Sequence, residues 1–409
     1  MDNPIIYAIP IFFILIAIEF IYGIKTKNNT YRTHDAITSV STGVLSQVTG
    51  AVTKLILVTI YAFIFEHFSF IQLSADDWWV WVYAFIFYDL CYYWFHRVAH
   101  EYNVFWAGHV THHSSEDYNL TTALRQTSTT FWFGWVFYVP MALSGIPPLV
   151  FFVVGALNLL YQYWVHSEHI PKLGWYELFF VTPSNHRVHH GQNDAYIDRN
   201  YGGVFILWDR MFGSFQEELD DDPVVFGIKK PIESWNPLWA NVHYYVQLYQ
   251  DAARTEKMWD KIRVWFKRTG WRPDDVAEKY PLNKRSIDDF KKFSTQLSSS
   301  YQAFVGIQFL FANLLTIYVL FNVEAFSILE SLVWIGIVSW WLLSLGLFME
   351  LRSNGKIMEL VRIHLFSGLG IAVFSNEVAY ALVGSYYLVS MISYFSLKLP
   401  RVKGVGSLV

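Results

Sequence analysis

Apolar residues in this chain gather in unbroken blocks of roughly 17–25 residues, the length a helix needs to cross a hydrocarbon layer about 30 Å thick. Nine such blocks stand at 4–24, 48–68, 78–96, 129–146, 147–166, 300–322, 328–348, 358–375 and 378–397. Only the Gly145–Pro148 corner separates the fourth from the fifth, which predicts a re-entrant hairpin or two short spans. The polar remainder is one stretch, about 170–299. Within it, Trp239 to Trp271 mixes aromatic and basic residues at helical spacing. That pattern suits one or two amphipathic helices lying on lipid headgroups, or a soluble helix packed on the rest of the protein. The expected class is all-α: a polytopic integral membrane helical protein. Its expected divisions are membrane helices over 1–77, a histidine-rich unit over 78–216, an interfacial helical segment over 217–299 and further membrane helices over 300–409.

Composition supports the bilayer over the two soluble domains that 409 residues would otherwise allow. Hydrophobic residues make up 54% and charged residues 16%, and mean hydropathy is +0.26. A net charge of -4 gives no reason to expect a nucleic-acid partner. Cys91 is the sole cysteine, so no disulfide closes within the chain, which fits a site facing a reducing compartment. The first apolar block is too long for a signal-peptide core and lacks a basic stretch before it, so it is expected to be retained.

Charge gives an orientation. The connections near 67–77, 143–149, 323–327 and 375–378 contain no Lys or Arg. The opposite connections carry Lys25, Lys27, Arg32, Arg97, Arg125, Arg352, Lys356, Lys398, Arg401 and Lys403, and 18 more between Lys172 and Lys292. Lys54 and Arg362 fall inside blocks, toward the basic side. The positive-inside rule then places the N-terminus outside and the basic face in the cytoplasm.

Of 14 histidines, eight fall in three tight groups on that basic side: His96 and His100; His109, His112 and His113; His186, His189 and His190. Offsets of three and four share a helix face, so each group can offer two or three imidazoles to one point. His166, ending the fifth block, is a ninth candidate; His169, at the start of a loop, is left out. His34, His67, His243 and His364 stand alone and read as structural. One zinc ion needs only three or four ligands, whereas eight or nine imidazoles can serve two ions. All-nitrogen ligation suits Zn, Cu, Fe or Ni, and the chain lacks the HExxH of zinc proteases. Two irons activating oxygen beside a bilayer would explain the placement.

Metal-bound imidazoles usually donate their other N–H to a carboxylate or carbonyl. Asp89 lies seven residues before His96 on nearly the same face, and an acid inside an apolar helix is a functional candidate. Glu116, Asp117 and Asn119 follow the second group; Asp194, Asp198 and Asn200 follow the third. Each could equally be a cap or turn residue. Glu101 directly follows His100.

HRVAH (96–100), HVTHH (109–113) and HRVHH (186–190) resemble the three histidine boxes of the fatty acid hydroxylase/sterol desaturase superfamily over roughly residues 80–216. The flanks DLCYYWFHRVAHE, WAGHVTHHSSEDYNLTTALRQ and TPSNHRVHHGQNDAYIDRNYGGVFILWDRMFGSFQEE are most similar to the alkylglycerol monooxygenase family within it. The resemblance implies a membrane di-iron enzyme that hydroxylates the carbon beside an ether oxygen and so releases a fatty aldehyde. It implies two Fe ions held by the nine histidines, a lipid substrate from the bilayer, O2, and an electron donor, either tetrahydrobiopterin or a redox protein. It also implies a part for Glu101 in activity or pterin use, and it matches His166 to the family's extra histidine. The expected location is the endoplasmic reticulum in a eukaryote or the inner membrane in a bacterium. A sterol or fatty-acid hydroxylase or desaturase is the alternative within this chemistry. A membrane metal transporter or metal-binding scaffold is the alternative outside it, although transport sites lie near the midplane and these clusters do not. A two-histidine haem would leave most of the clustered imidazoles idle.

Overall fold

The computed structural model describes residues 4–283, 286–373 and 376–397. Their regular structure is helical, with three isolated bridges and no strand among the described residues. Lys284, Arg285, Lys398, Arg401 and Lys403, which entered the orientation reading, lie outside them, as does the side chain of Lys54.

Over the described residues each apolar block is mostly helical. The long elements are α1 (Pro4–Lys25), α2 (Thr33–Phe68), α3 (Trp78–Glu101), α4 (Pro148–Trp164), α5 (Pro183–His189), α6 (Pro237–Arg254), α7 (Met258–Phe266), α8 (Ser299–Asn322), α9 (Ile328–Met349), α10 (Ser353–Val373) and α11 (Glu377–Phe395). Among the described residues, three stretches are long and apolar enough to cross a membrane by length and composition, Ser299–Ala325, Ile328–Met349 and Glu377–Phe395, and the bent α2 makes a fourth if its two halves count as one span; α3, expected as a span at 78–96, is not among them. The fourth and fifth blocks form the shorter helices Phe131–Leu143 and Pro148–Trp164. With 17 residues, α4 extends only about 25 Å. Between them Gly145 sits at φ 86°, and a Cβ there would lie 1.8 Å from the Ile71 carbonyl oxygen.

Helix α2 begins 15 residues before the block drawn at 48–68. Its first half is polar, yet Thr38, Ser39, Ser41 and Thr42 are buried. Short hydroxyl side chains bond back to their own helix, as Thr38 Oγ1 does to the His34 carbonyl at 2.8 Å. Gly43 lets the Leu124 carbonyl come close; a Cβ would stand 2.3 Å from its oxygen. Helix α3 inverts the soluble pattern. Asp89, His96 and His100 point inward, while Trp78, Trp79, Val82, Tyr83, Ile86 and Trp94 are exposed.

The chain divides into two compact units. The first holds residues 1–232 and 239–292, with an apolar core of Val80, Ala84, Met141, Ile146, Val150 and Val154. The second holds 233–238 and the chain from Phe293 onward, where α8 to α11 close a four-helix bundle. Arg362 in its middle is fully buried. Its guanidinium meets Glu359 at 2.6 Å, Gln308 Oε1 at 2.8 Å and the Tyr386 hydroxyl at 2.9 Å, and lies 4.2 Å from the Trp341 ring centre. The pair with Glu359, one turn earlier, explains how Arg362 can sit deep among apolar helices.

Candidate metal centre

Four places in the chain deliver the nine histidines, with His166 just beyond the end of α4. The last two turns of α3 carry His96 and His100. The second box is a single turn, Val110–His113, with His109 as its N-cap. Helix α5 opens with Pro183 and a capping box in which Thr182 Oγ1 accepts from Asn185 N and Asn185 Oδ1 from Thr182 N. That start sets His186 and His189 on the helix and His190 at its C-cap.

All nine predicted histidines come together, in two groups. One contains His96, His100, His109, His113 and His189; the other His112, His166, His186 and His190. The boxes are divided between them. Residues four apart stay together, but His112 and His189, at the i+3 positions, each join the opposite group. Nε2 atoms face one another throughout: His96–His109 at 2.9 Å, His100–His113, His109–His113 and His113–His189 each at 3.1 Å, His166–His186 at 3.0 Å, His186–His190 at 3.2 Å and His112–His166 at 3.3 Å. The rings of His113 and His190 stack across the two groups, with centres 4.3 Å apart.

The other ring nitrogens show why those faces suit cations. His96 Nδ1 donates to the Tyr201 carbonyl at 2.8 Å, His112 to Arg125 at 3.0 Å, His166 to Gln162 at 2.8 Å and His189 to Arg199 at 2.9 Å. A neutral imidazole that donates through Nδ1 keeps a bare lone pair on Nε2. Lone pairs on His112 and His166 therefore face each other with no proton between them. Burial, strengthened by neighbouring imidazoles, keeps His113, His189 and His190 well below the usual imidazole range. Burial brings His112 down to about 4. Around an ion with nitrogens at about 2.0–2.1 Å, neighbouring ligand atoms stand about 2.9–3.4 Å apart, the spacing found here. The donor set fits two soft-to-borderline cations, and neither group includes a carboxylate or thiol.

The acidic candidates take varied places. Asp89 is buried and accepts from Asn158 Nδ2, the Val204 and Phe205 amides and Trp208 Nε1 at 2.7–3.0 Å. It holds the 204–205 turn and touches no histidine in either group. Glu101 pairs with Arg97 at 2.9 Å and with Arg268, away from both groups. Asp198 lies 3.7 Å from His100 Nδ1. Asp117 pairs with Arg32 and Lys292, Glu116 lies 3.8 Å from Arg32, and Asn119 caps the Leu120–Ala123 turn. Asp194 pairs with Lys229 at the surface. His34, His67, His169, His243 and His364 join neither group.

Sequence reasoning missed Asp209 and Glu19. Asp209 accepts from the Tyr201 amide at 2.7 Å, the Gly202 amide at 2.8 Å and Ser214 Oγ at 2.7 Å, so it aims the carbonyl that receives His96. Glu19, inside apolar α1, accepts from Ser167 Oγ at 2.5 Å, from the Leu120 amide at 2.9 Å and from the Tyr31 hydroxyl. It ties α1 to the residue after His166. An acid within an apolar helix was its available signal; Asp209 carried none.

Residues 81–214 match the family model for fatty acid hydroxylase. The chain is 39% identical over 366 residues to the alkylglycerol monooxygenase of Homo sapiens, covering 88% of this chain and 80% of that one. It is 40% identical to the alkylglycerol monooxygenase of Danio rerio, covering 87% and 79%. A shorter match, 31% identical over 121 residues, reaches the ornithine lipid hydroxylase OlsE of Rhizobium tropici, covering 29% of this chain and 37% of that one. No solved structure matches.

Proposed function

From a chain that belongs to the alkylglycerol monooxygenase family, we propose an integral membrane lipid monooxygenase that holds two iron ions and cleaves the ether bond of alkylglycerols. The observation that carries this reading is the pair of adjoining imidazole groups whose Nε2 atoms face one another at 2.9–3.3 Å. His96, His100, His109, His113 and His189 would hold one ion, and His112, His166, His186 and His190 the other.

Iron bound there would supply the oxygen activation needed to break an unactivated C–H bond. The chain's own part is orientation and exclusion of water. Backbone carbonyls of Tyr201, Arg125, Gln162 and Arg199 fix four rings, and of the nine grouped histidines all but His109 are buried. Hydroxylation of the carbon next to the ether oxygen gives a hemiacetal, which separates into a fatty aldehyde and glycerol. One oxygen atom of O2 enters the product; the other leaves as water with two electrons from the donor, here assigned to a reduced pterin. Glu101 belongs to this reading as a residue of pterin use, and Asp89 as a residue that supports the reacting centre from behind α3. This reading also puts the basic face, and with it the histidine chamber, in the cytoplasm, as the excess of Lys and Arg on that side supports.

The test uses the full chain in lipid nanodiscs with an alkylglycerol, O2 and tetrahydropterin. Fatty aldehyde formation with two irons per chain supports the reading. Iron-loaded protein that turns over no ether lipid, or that hydroxylates a sterol or fatty acid instead, overturns it. In the same assay, Glu101→Gln should raise the pterin KM while leaving iron content at the parental level.

A further inference from the structure

Helix α7 displays its apolar face outward. Met258 is 74% exposed, Trp259 75%, Ile262 55% and Phe266 63%, positions that form one stripe at helical spacing. The opposite face is already occupied, with Asp260 and Val264 buried against the protein. Four large apolar side chains on nine residues are costly to leave in water, at roughly 25 cal/mol per Å².

Its position limits what can cover the stripe. The end of α7 is bonded to the end of α3. Asn103 N donates to the Lys267 carbonyl at 3.0 Å, and Thr269 N to the Glu101 carbonyl at 3.0 Å. Tyr102 and Arg268 form a bridge between the same segments, and Asn103 Nδ2 reaches the Val264 carbonyl at 2.8 Å. Helix α7 therefore lies at the level where α3 ends. Between Arg254 and Arg272 the chain carries seven basic residues and two acidic ones. An apolar stripe bordered by cations matches the boundary between acyl chains and lipid phosphates.

We propose that α7 lies in the lipid headgroup layer and inserts Met258, Trp259, Ile262 and Phe266 among the upper acyl carbons, anchoring the histidine chamber to the bilayer surface. Thr269, just beyond it, donates its hydroxyl to the His100 carbonyl and so links this anchor to the five-imidazole group. The inference rests on reading α3 as membrane-spanning, and the test separates the two.

Cys91 is buried, so the parental chain serves as the labelling blank. Single Trp259→Cys, Ile262→Cys and Phe266→Cys variants of the full chain are spin-labelled in phosphatidylcholine–phosphatidylserine nanodiscs, together with Val82→Cys and Ile86→Cys on α3. The expected result is collision with O2 well above collision with aqueous Ni-EDDA at all five positions. The reverse ratio on α7, with lipid contact retained at 82 and 86, overturns the anchor and leaves the span. Low collision with both reagents on α7 shows a protein cover and also overturns it. Aqueous contact at 82 and 86 removes both readings.

Discussion

Asp209→Ala isolates the support behind one imidazole group. The carboxylate is buried and receives three donors; Ser214 Oγ keeps a second partner in the Tyr93 hydroxyl at 2.9 Å. The Tyr201 and Gly202 amides would be left without theirs. An orphaned buried N–H costs about 1–3 kcal/mol, so the turn loses about 2–6 kcal/mol. The Tyr201 carbonyl that fixes His96 is then free to swing. Loss of such support for a metal-bound imidazole typically weakens affinity about 10- to 100-fold. The assay is titration of metal-free protein in nanodiscs with Co(II), following the ligand-field bands of two sites. The expected result is one weakened site, that of His96, His100, His109, His113 and His189, with the other at parental affinity. Equal weakening of both sites, or parental affinity at both, would refute the division of the histidines drawn above.

His189→Ala and His112→Ala should each abolish turnover yet remove iron from opposite groups, so their Mössbauer spectra should differ; identical spectra contradict the exchange of i+3 residues. Asn200 sits at φ 55° and ties together Asn185 O, Gln216 O and Gln216 N at 2.7–3.0 Å. Asn200→Gly should lose those ties alone, while Asn200→Ala adds about 1–2 kcal/mol of left-handed strain; thermal unfolding that ranks alanine above glycine goes against this. In metal-free protein, the His112 pKa of about 4 against 6.5 in the unfolded chain means that the unfolded state takes the proton first. Its contribution, about 3 kcal/mol, is present above pH 6.5 and lost as pH falls toward 4. Denaturation midpoints of metal-free protein should therefore drop on acidification, and a flat profile excludes neutral burial of these rings.

The histidine boxes were legible because offsets of four survive even in a single turn: His109 and His113 meet although the helix between them has four residues. His166 was legible from its place at the end of an apolar block. The partition into two groups was not, because it depends on how α5 approaches the second box, and spacing along the chain holds no information about that approach. The carbonyl acceptors were equally invisible, since every residue has a carbonyl and only the fold selects Tyr201, Arg125, Gln162 and Arg199. The polar half of α2 escaped notice for a related reason. A hydropathy pattern detects burial against lipid, whereas Thr38, Ser39 and Thr42 are buried against backbone and side-chain polar groups. Arg362 stands inside an apolar block, toward its basic side, but its neutralising set was not legible, because Gln308 and Tyr386 lie on other helices.

The exchange of His112 and His189 between groups has a structural consequence. Were each box to serve one ion, either group could relax without disturbing the other. Here the turn Val110–His113 gives His109 and His113 to one group and His112 to the other, and α5 does the converse with His189 against His186 and His190. Moving either element displaces ligands at both positions, and the stacked rings of His113 and His190 join the groups directly. In the two-ion reading proposed above, the spacing of the ions would follow from the two short elements that give ligands to both groups, Val110–His113 and α5, while α3 serves one group alone.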